Sequence, residues 1–234
     1  MGPGPLRASA DALRYWELRQ QVATNNLANA ETPGFKGERA FARLLDGGTS
    51  PVIGARTDLR EGAMNPTGNP LDVALVGGTH FLVVATAAGE RLMRGGPLSL
   101  DNDGQLVDAA GHALLKEEGG TITIPTGAVV TIGTDGSISA DGISLGTLRV
   151  ESVPGPDWLE HEAAGLFLAA EGTEAVRGED RGVRQGVLEG SNVSTLESMV
   201  DLITIQRTYA AVQGGMRTVD SVLDTIVNRI GRVG

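Results

Sequence analysis

Three histidines and a few clustered carboxylates are the residues of this chain that could do chemistry, and their spacing argues against most of it. His80, His112 and His161 are isolated from one another and from other candidate ligands, so none stands in a metal-binding spacing. Asp101-Asn102-Asp103-Gly104 has the first half of a calcium loop but lacks the later ligands and the terminal Glu, and reads as a β-turn. Glu117-Glu118 and the acidic residues between Asp157 and Glu162 could be drawn as a glycosidase pair. Two-carboxylate chemistry also needs a cleft lined for sugar, however, and the only tryptophans are Trp16 and Trp158. There is no serine nucleophile elbow, no phosphate-binding glycine loop and no cysteine. The expectation is a protein that is not an enzyme, with no cofactor, no metal and no small-molecule substrate.

What remains is hydrogen bonding by neutral amides. Gln21, Asn25 and Asn29 recur at i, i+4 and i+8, one stripe beside the apolar positions Ala23, Leu27 and Ala30. Asn is a mediocre helix former because its amide competes with the backbone, so local stability did not select Asn25, Asn26 and Asn29. The stripe suits contact with another protein surface; an ordinary solvated polar face is the alternative.

The elements that must carry these residues are legible from periodicity. From about Leu6 to Ala30, positions Leu6, Leu13, Trp16, Ala23, Leu27 and Ala30 share the a and d places of one heptad frame, with Ser9 and Gln20 as exceptions. Thr32, Pro33 and Gly34 then stop the helix. At the other end, Ser194 with Glu197 forms a capping-box pattern. Leu202, Ile205, Tyr209, Val212, Met216, Val219, Leu223, Ile226, Ile230 and Val233 follow at 3-4 spacing without a miss, a coiled-coil seam roughly 50 Å long at 1.5 Å per residue. Its other faces carry few charges, and Gly214-Gly215 suggests a bend or a close helix approach.

Between the helices, residues 71–190 show short β-branched segments at Thr79–Ala85, Thr121–Ile124, Val129–Ile132 and Thr147–Val153. Asp103-Gly104, Asp135-Gly136 and Asp141-Gly142 supply turns at hairpin spacing. The fold class expected is α+β, mainly β, with N- and C-terminal helices paired as a coiled-coil stalk and an antiparallel β domain inserted between them. Its divisions are a helix in 1–35, a linker in 36–70, the β-rich domain in 71–190 and a second helix in 191–234.

With 234 residues, 34 of them Gly and only 3% aromatic, the composition favours turns and small-residue packing over an aromatic-lined pocket. A net charge of −10 opposes nucleic acid or anionic membrane as the main partner. The longest uncharged run, Val73 to Gly89, falls short of the about 20 apolar residues of a membrane span, and no apolar leader follows Met1. These observations leave two classes open: a self-assembling structural subunit, or a stalk or surface adhesin whose helices carry a β head.

Asn25-Asn26-Leu27-Ala28-Asn29-Ala30-Glu31-Thr32-Pro33-Gly34-Phe35-Lys36 resembles the N-terminal signature of the bacterial flagellar rod and hook family, N-N-L-A-N-x-x-T-P-G-F-K. Thr57-Asp58-Leu59-Arg60-Glu61-Gly62-Ala63, then Thr67-Gly68-Asn69-Pro70-Leu71-Asp72-Val73-Ala74, is similar to that family's second signature, although Gly77-Gly78-Thr79-His80-Phe81 keeps only the last aromatic of the G-D-G-F-F that usually follows. Leu188-Glu189-Gly190-Ser191-Asn192-Val193 resembles the third. The resemblance implies a structural subunit of the basal-body rod, the axial shaft that carries torque from motor to hook. It implies assembly with copies of itself and with other rod and hook subunits, and export through the flagellar type III apparatus without a cleaved signal. Total size and the short connection between Phe35 and Pro70 point to the proximal rod members, with the distal rod type as the near alternative. The amide stripe, the signature and the C-terminal seam together give the expected assembly interface as Gln21, Asn25, Asn26, Leu27, Asn29, Thr32, Pro33, Gly34 and Phe35, with the seam from Leu202 to Ile230.

Overall fold

The computed structural model describes residues 5–44, 50–162, 165–170 and 172–230, and within the two helices the side chains of 8–28, 195–219, 221, 222 and 225. Its content is α+β, two long helices and otherwise short strands. The side chains of Leu6, Leu223, Ile226 and Ile230, and Val233 altogether, lie outside the described residues. The chain divides into a helical unit, drawn from Met1–Ala28, Glu38–Arg56 and Thr195–Gly234, and a β-rich unit, Asn29–Gly37 with Thr57–Ser194.

In the helical unit, α1 spans Pro5–Ala28, and its first residue is the one type whose missing N–H costs nothing there. It stops two residues before the expected Ala30. The Asn29 carbonyl accepts the Thr32 N–H at 3.1 Å, an i+3 turn that replaces the next helical bond ahead of Pro33. The second helix, α2, spans Thr195–Ile230 and begins directly after Ser194, where the capping pattern placed it. Val22 and Ala23 of α1 and Ile205 of α2 are buried, while Leu202, Tyr209, Val212 and Met216 are half-buried and Val219 is exposed. A 24-residue helix cannot cover a 36-residue one, and along α2 burial declines from Ile205 to the exposed Val219. Tyr209 Oη donates to Glu17 Oε1 at 3.1 Å, and Arg19 lies 3.4 Å from Asp201. Strands Glu38–Leu44 and Pro51–Thr57 form a two-stranded sheet beside α1. Leu45 and Gly47 to Thr49, between these strands, lie outside the described residues.

The β-rich unit is built around strand His80–Thr86, paired antiparallel with Gly89–Met93, Ala113–Leu114 and Val150–Ser152. Side chains alternate along a strand, and here both faces are covered. Leu82 and Val84 enter a core with Leu75, Leu106, Leu114, Ile138 and Leu148, while Phe81 and Val83 enter a second with Leu92, Leu159 and Phe167. Asp141-Gly142 closes a hairpin between Ala140 and Ile143, both turn residues at positive φ as a type I′ turn requires. Thr121–Ile124, expected as a strand, makes only isolated bridges at Thr121 and Thr123; Ile122 and Ile124 are nonetheless fully buried. The expected strand Thr147–Val153 is two strands, Ile143–Thr147 and Val150–Ser152, separated at Leu148, whose N–H bonds the Gly136 carbonyl instead.

Candidate interaction surface

The signature segment is divided between an outward and an inward role. Gln21 and Asn25 are exposed on α1, as are Thr32 and Pro33 after it; Leu27 is half-buried, and Asn29, in the turn beyond α1, accepts a bond from Thr32 Oγ1 at 3.3 Å. The stripe therefore ends at Asn25. Asn26 is turned to its own chain: its Nδ2 donates to the Glu38 carbonyl at 2.8 Å and its Oδ1 accepts the Glu38 N–H at 2.9 Å. One side chain thus satisfies both backbone groups of a strand's first residue, because an amide carries a donor and an acceptor side by side.

Gly34, Phe35 and Lys36 are buried in the β-rich unit. Gly34 sits at φ 72 and donates its N–H to the Glu189 carbonyl at 2.7 Å; a Cβ there would meet the Gly95 carbonyl at 3.2 Å. Phe35 packs on the His161 ring, whose Nε2 lies 2.9 Å from the Lys36 carbonyl. Lys36, Arg94 and Glu189 are each 1% exposed and form one ionic knot. Lys36 Nζ donates to Glu189 Oε1 at 2.7 Å, while Arg94 donates to Oε2 from Nε at 3.0 Å and from Nη2 at 2.8 Å. All the Arg94 donors, and a second one of Lys36, are also matched. Lys36 Nζ reaches the Arg60 carbonyl, and Arg94 reaches the carbonyls of Leu75, Gly77 and His80, with its guanidinium 5.5 Å from the centre of the Phe81 ring. Burial, and then the neighbouring Arg94 charge, lower the Lys36 pKa below its ordinary value, against the pull of Glu189.

The other signatures converge on the same junction. Asn192 bridges three backbones, accepting the Gly37 N–H at 2.8 Å and donating to the carbonyls of Asp58 and Arg60. Asp72 closes the second block by accepting from Thr67 Oγ1 at 2.6 Å and Asn69 Nδ2 at 2.8 Å. Gly62 lies so close to Gly190 that a Cβ would stand 1.8 Å from its carbonyl oxygen. Gly62→Ala is therefore expected to destabilise the protein by about 1–3 kcal/mol through overpacking, seen as a lower urea midpoint; an unchanged midpoint would show that the junction can open. Arg94 escaped sequence reading, whereas Gly62 lies in the second signature block. An arginine beside Gly95-Gly96 was the available signal, and nothing local says that its partner is residue 189.

The remaining candidates resolve into local bonds. His112 Nδ1 lies 2.9 Å from Asp108 Oδ2 and His80 Nδ1 3.1 Å from the Val76 carbonyl. Asp101 Oδ1 accepts the N–H groups of Asp103 and Gln105, which is turn chemistry, and Glu117 pairs with Arg181. Among the described residues no group of three or more His, Cys, Asp or Glu is placed to hold a metal, and no helix is long and apolar enough to cross a membrane.

What stays open is on the helical unit. Leu196 (73% exposed), Met199, Val200 and Ile203 (51%) form an apolar ridge on the face of α2 opposite Ile205 and Tyr209. Thr204, Thr208, Thr218 and Thr225 donate their hydroxyls to carbonyls four residues back, so α2 presents a less polar surface than its composition indicates. Gly214 and Gly215 have nothing within 4 Å of a built Cβ, so no close approach within the described residues accounts for them. On α1, Glu17, Gln20, Gln21, Thr24 and Asn25 line an open groove with Tyr209. Such surfaces can pack and hydrogen-bond, and hold no paired nucleophile and base.

Residues 6–36 match the family description "Flagella basal body rod protein", 75–140 "Flagellar hook protein FlgE/F/G D1 domain", and 184–230 "Flagellar basal body rod FlgEFG protein C-terminal". The chain is 32% identical to the flagellar basal-body rod protein FlgF of Caulobacter vibrioides, covering 94% of this chain and 96% of the relative. It is 34% identical to FlgF of Salmonella typhimurium over 86% and 88%. The flagellar basal-body rod protein FlgG of Bacillus subtilis is 28% identical over 95% and 97%.

Proposed function

Because this chain belongs to the flagellar rod and hook protein family and is a structural subunit of the basal-body rod, we propose that its two terminal helices pair as a coiled-coil stalk that packs laterally into the axial drive shaft. The subunit is of the proximal, F type; it passes motor torque toward the hook and catalyses nothing. Its partners are copies of itself and other rod and hook subunits. It reaches the basal body through the flagellar export apparatus without a cleaved signal.

The observation that carries this reading is the pair of open surfaces on the helical unit, the apolar ridge of α2 and the amide-lined groove of α1. Burying such a ridge stabilises an assembly by about 25 cal/mol per Å² of apolar surface, and the amides fix which neighbour is accepted. The interface drawn from the signature then consists of Gln21, Asn25, Thr32 and Pro33 outside, while Asn26, Gly34 and Phe35 act by shaping the subunit. Gln21→Ala with Asn25→Ala raises the intrinsic helix propensity of α1 but leaves the neighbour's polar groups unmatched, at about 1–3 kcal/mol for each. Reduced incorporation of the variant into isolated basal bodies, with an unchanged thermal midpoint of the monomer, is the expected result. Normal incorporation and swimming would return these amides to ordinary surface. The distal, G-type reading has the full-length FlgG match in its favour, and complementation of a strain lacking one or the other rod protein separates the two.

A further inference from the structure

The most oxidisable side chains of this chain are its methionines. It has five of them and no cysteine, so a two-electron oxidant meets no thiolate, and thioethers are the sulfur that remains. Met93 is 6% exposed, inside the core around Leu82, while Met64 and Met216 are half-buried and Met1 lies outside the described residues. Met199 is different. It is 48% exposed and stands in the middle of the α2 ridge, with Leu196 one turn before it, Ile203 one turn after it and Val200 beside it. Its sulfur is therefore the most accessible among the described residues, and its ridge neighbours are all aliphatic.

We propose that Met199 is an oxidation site that governs entry of the free subunit into the rod: as the thioether it lets the ridge pack, and as the sulfoxide it bars packing. This rests on the reading of the ridge as an assembly surface. The oxidant is a peroxide. The sulfur lone pair attacks one peroxide oxygen, an S–O bond forms as the O–O bond breaks, and the departing hydroxide takes the proton of the transferred oxygen to leave as water. Sulfide is oxidised and peroxide reduced by two electrons. The product has nearly the length of methionine but carries a strongly polar oxygen, and the side chains of Leu196, Val200 and Ile203 offer it no donor when a partner removes water from the ridge. A subunit already in the rod has its ridge covered, so the switch acts on free subunits and spares finished rods. Methionine sulfoxide reductases regenerate the thioether, which makes the block reversible.

Brief treatment of the purified full chain with hydrogen peroxide, followed by peptide mass mapping, should oxidise Met199 about tenfold faster than the buried Met93, and ahead of Met64 and Met216. Equal rates overturn the proposal. For assembly, the unsubstituted chain and Met199→Leu are produced together in one strain, and their ratio is read in isolated basal bodies. Without peroxide the two should enter equally. With peroxide both meet the same stress, so a shift of about fivefold toward the Leu variant reports residue 199 alone. Met199→Gln, polar and close to the sulfoxide in length, should lose to Met199→Leu by about tenfold with no peroxide at all. Gln and Met have similar helix propensity, so the helical circular dichroism of the monomer should stay unchanged. An unshifted ratio under peroxide, or full incorporation of Met199→Gln, overturns the switch. Peroxide treatment of isolated basal bodies tests the ridge itself. Met199 should stay a thioether there, and its oxidation at the rate of the free chain would overturn the ridge as an assembly surface.

Discussion

Glu189→Ala lowers the stability of the β-rich unit by about 3–5 kcal/mol, the cost of leaving buried charge without its partner. The effect is large because one carboxylate answers two cations: Lys36 on Oε1 and Arg94 on Oε2, all three sealed from solvent. Oε1 also accepts the Gly62 N–H at 3.0 Å, so the variant strips a backbone donor in a region already tight against Gly190. Urea denaturation followed by circular dichroism of the β-rich unit should show the lowered midpoint. The companion variant Lys36→Met, Arg94→Met, Glu189→Leu removes the charges together and should recover most of the loss, since apolar replacement of a whole buried ionic group is often neutral. A midpoint for Glu189→Ala within about 0.5 kcal/mol of wild type, the usual range for an inconsequential surface change, would mean that water reaches the knot.

Ile205→Asp stops rod assembly while leaving the β-rich unit folded. Ile205 is 1% exposed and is the most deeply buried seam residue described in α2. Truncating a buried Ile costs about 2–5 kcal/mol, and an unpaired carboxylate in its place adds to that. Among the described residues of the two helices, the other buried apolar side chains are Val22 and Ala23, too few to absorb the loss. Among the described residues, the cores around Leu82 and Phe81 contain none of α2. The expected results are a non-motile strain, loss of helical circular dichroism signal and an unchanged urea midpoint for the β-rich unit. Wild-type swimming would show that the α1–α2 seam is dispensable in the rod.

What the sequence by itself determined is what depends on neighbours along the chain. The start of α2 after Ser194, the stop before Pro33 and the Asp141-Gly142 hairpin each rest on a few adjacent residues, and each lies where the local chemistry puts it. The less exposed face of α2 at Leu202, Ile205, Tyr209, Val212 and Met216 was likewise readable, because 3-4 spacing is a property of one helix. Tertiary structure decided where identical side chains differ in role. Asn25 and Asn26 are adjacent asparagines, yet Asn25 is exposed on α1 while Asn26 is taken by Glu38, because only one of them faces the strand. It also decided that Lys36 and Glu189, 153 positions apart, share one buried site with Arg94. A charge's partner is set by which backbones cross in space, and no periodicity in the chain encodes a crossing. The same reason covers Ile122 and Ile124, buried by the strands around them rather than by a ladder of their own. The sequence identified the family because its signatures are contiguous; only the folded chain revealed that most signature side chains hold the subunit together, while the ridge of α2 and the groove of α1 are left exposed.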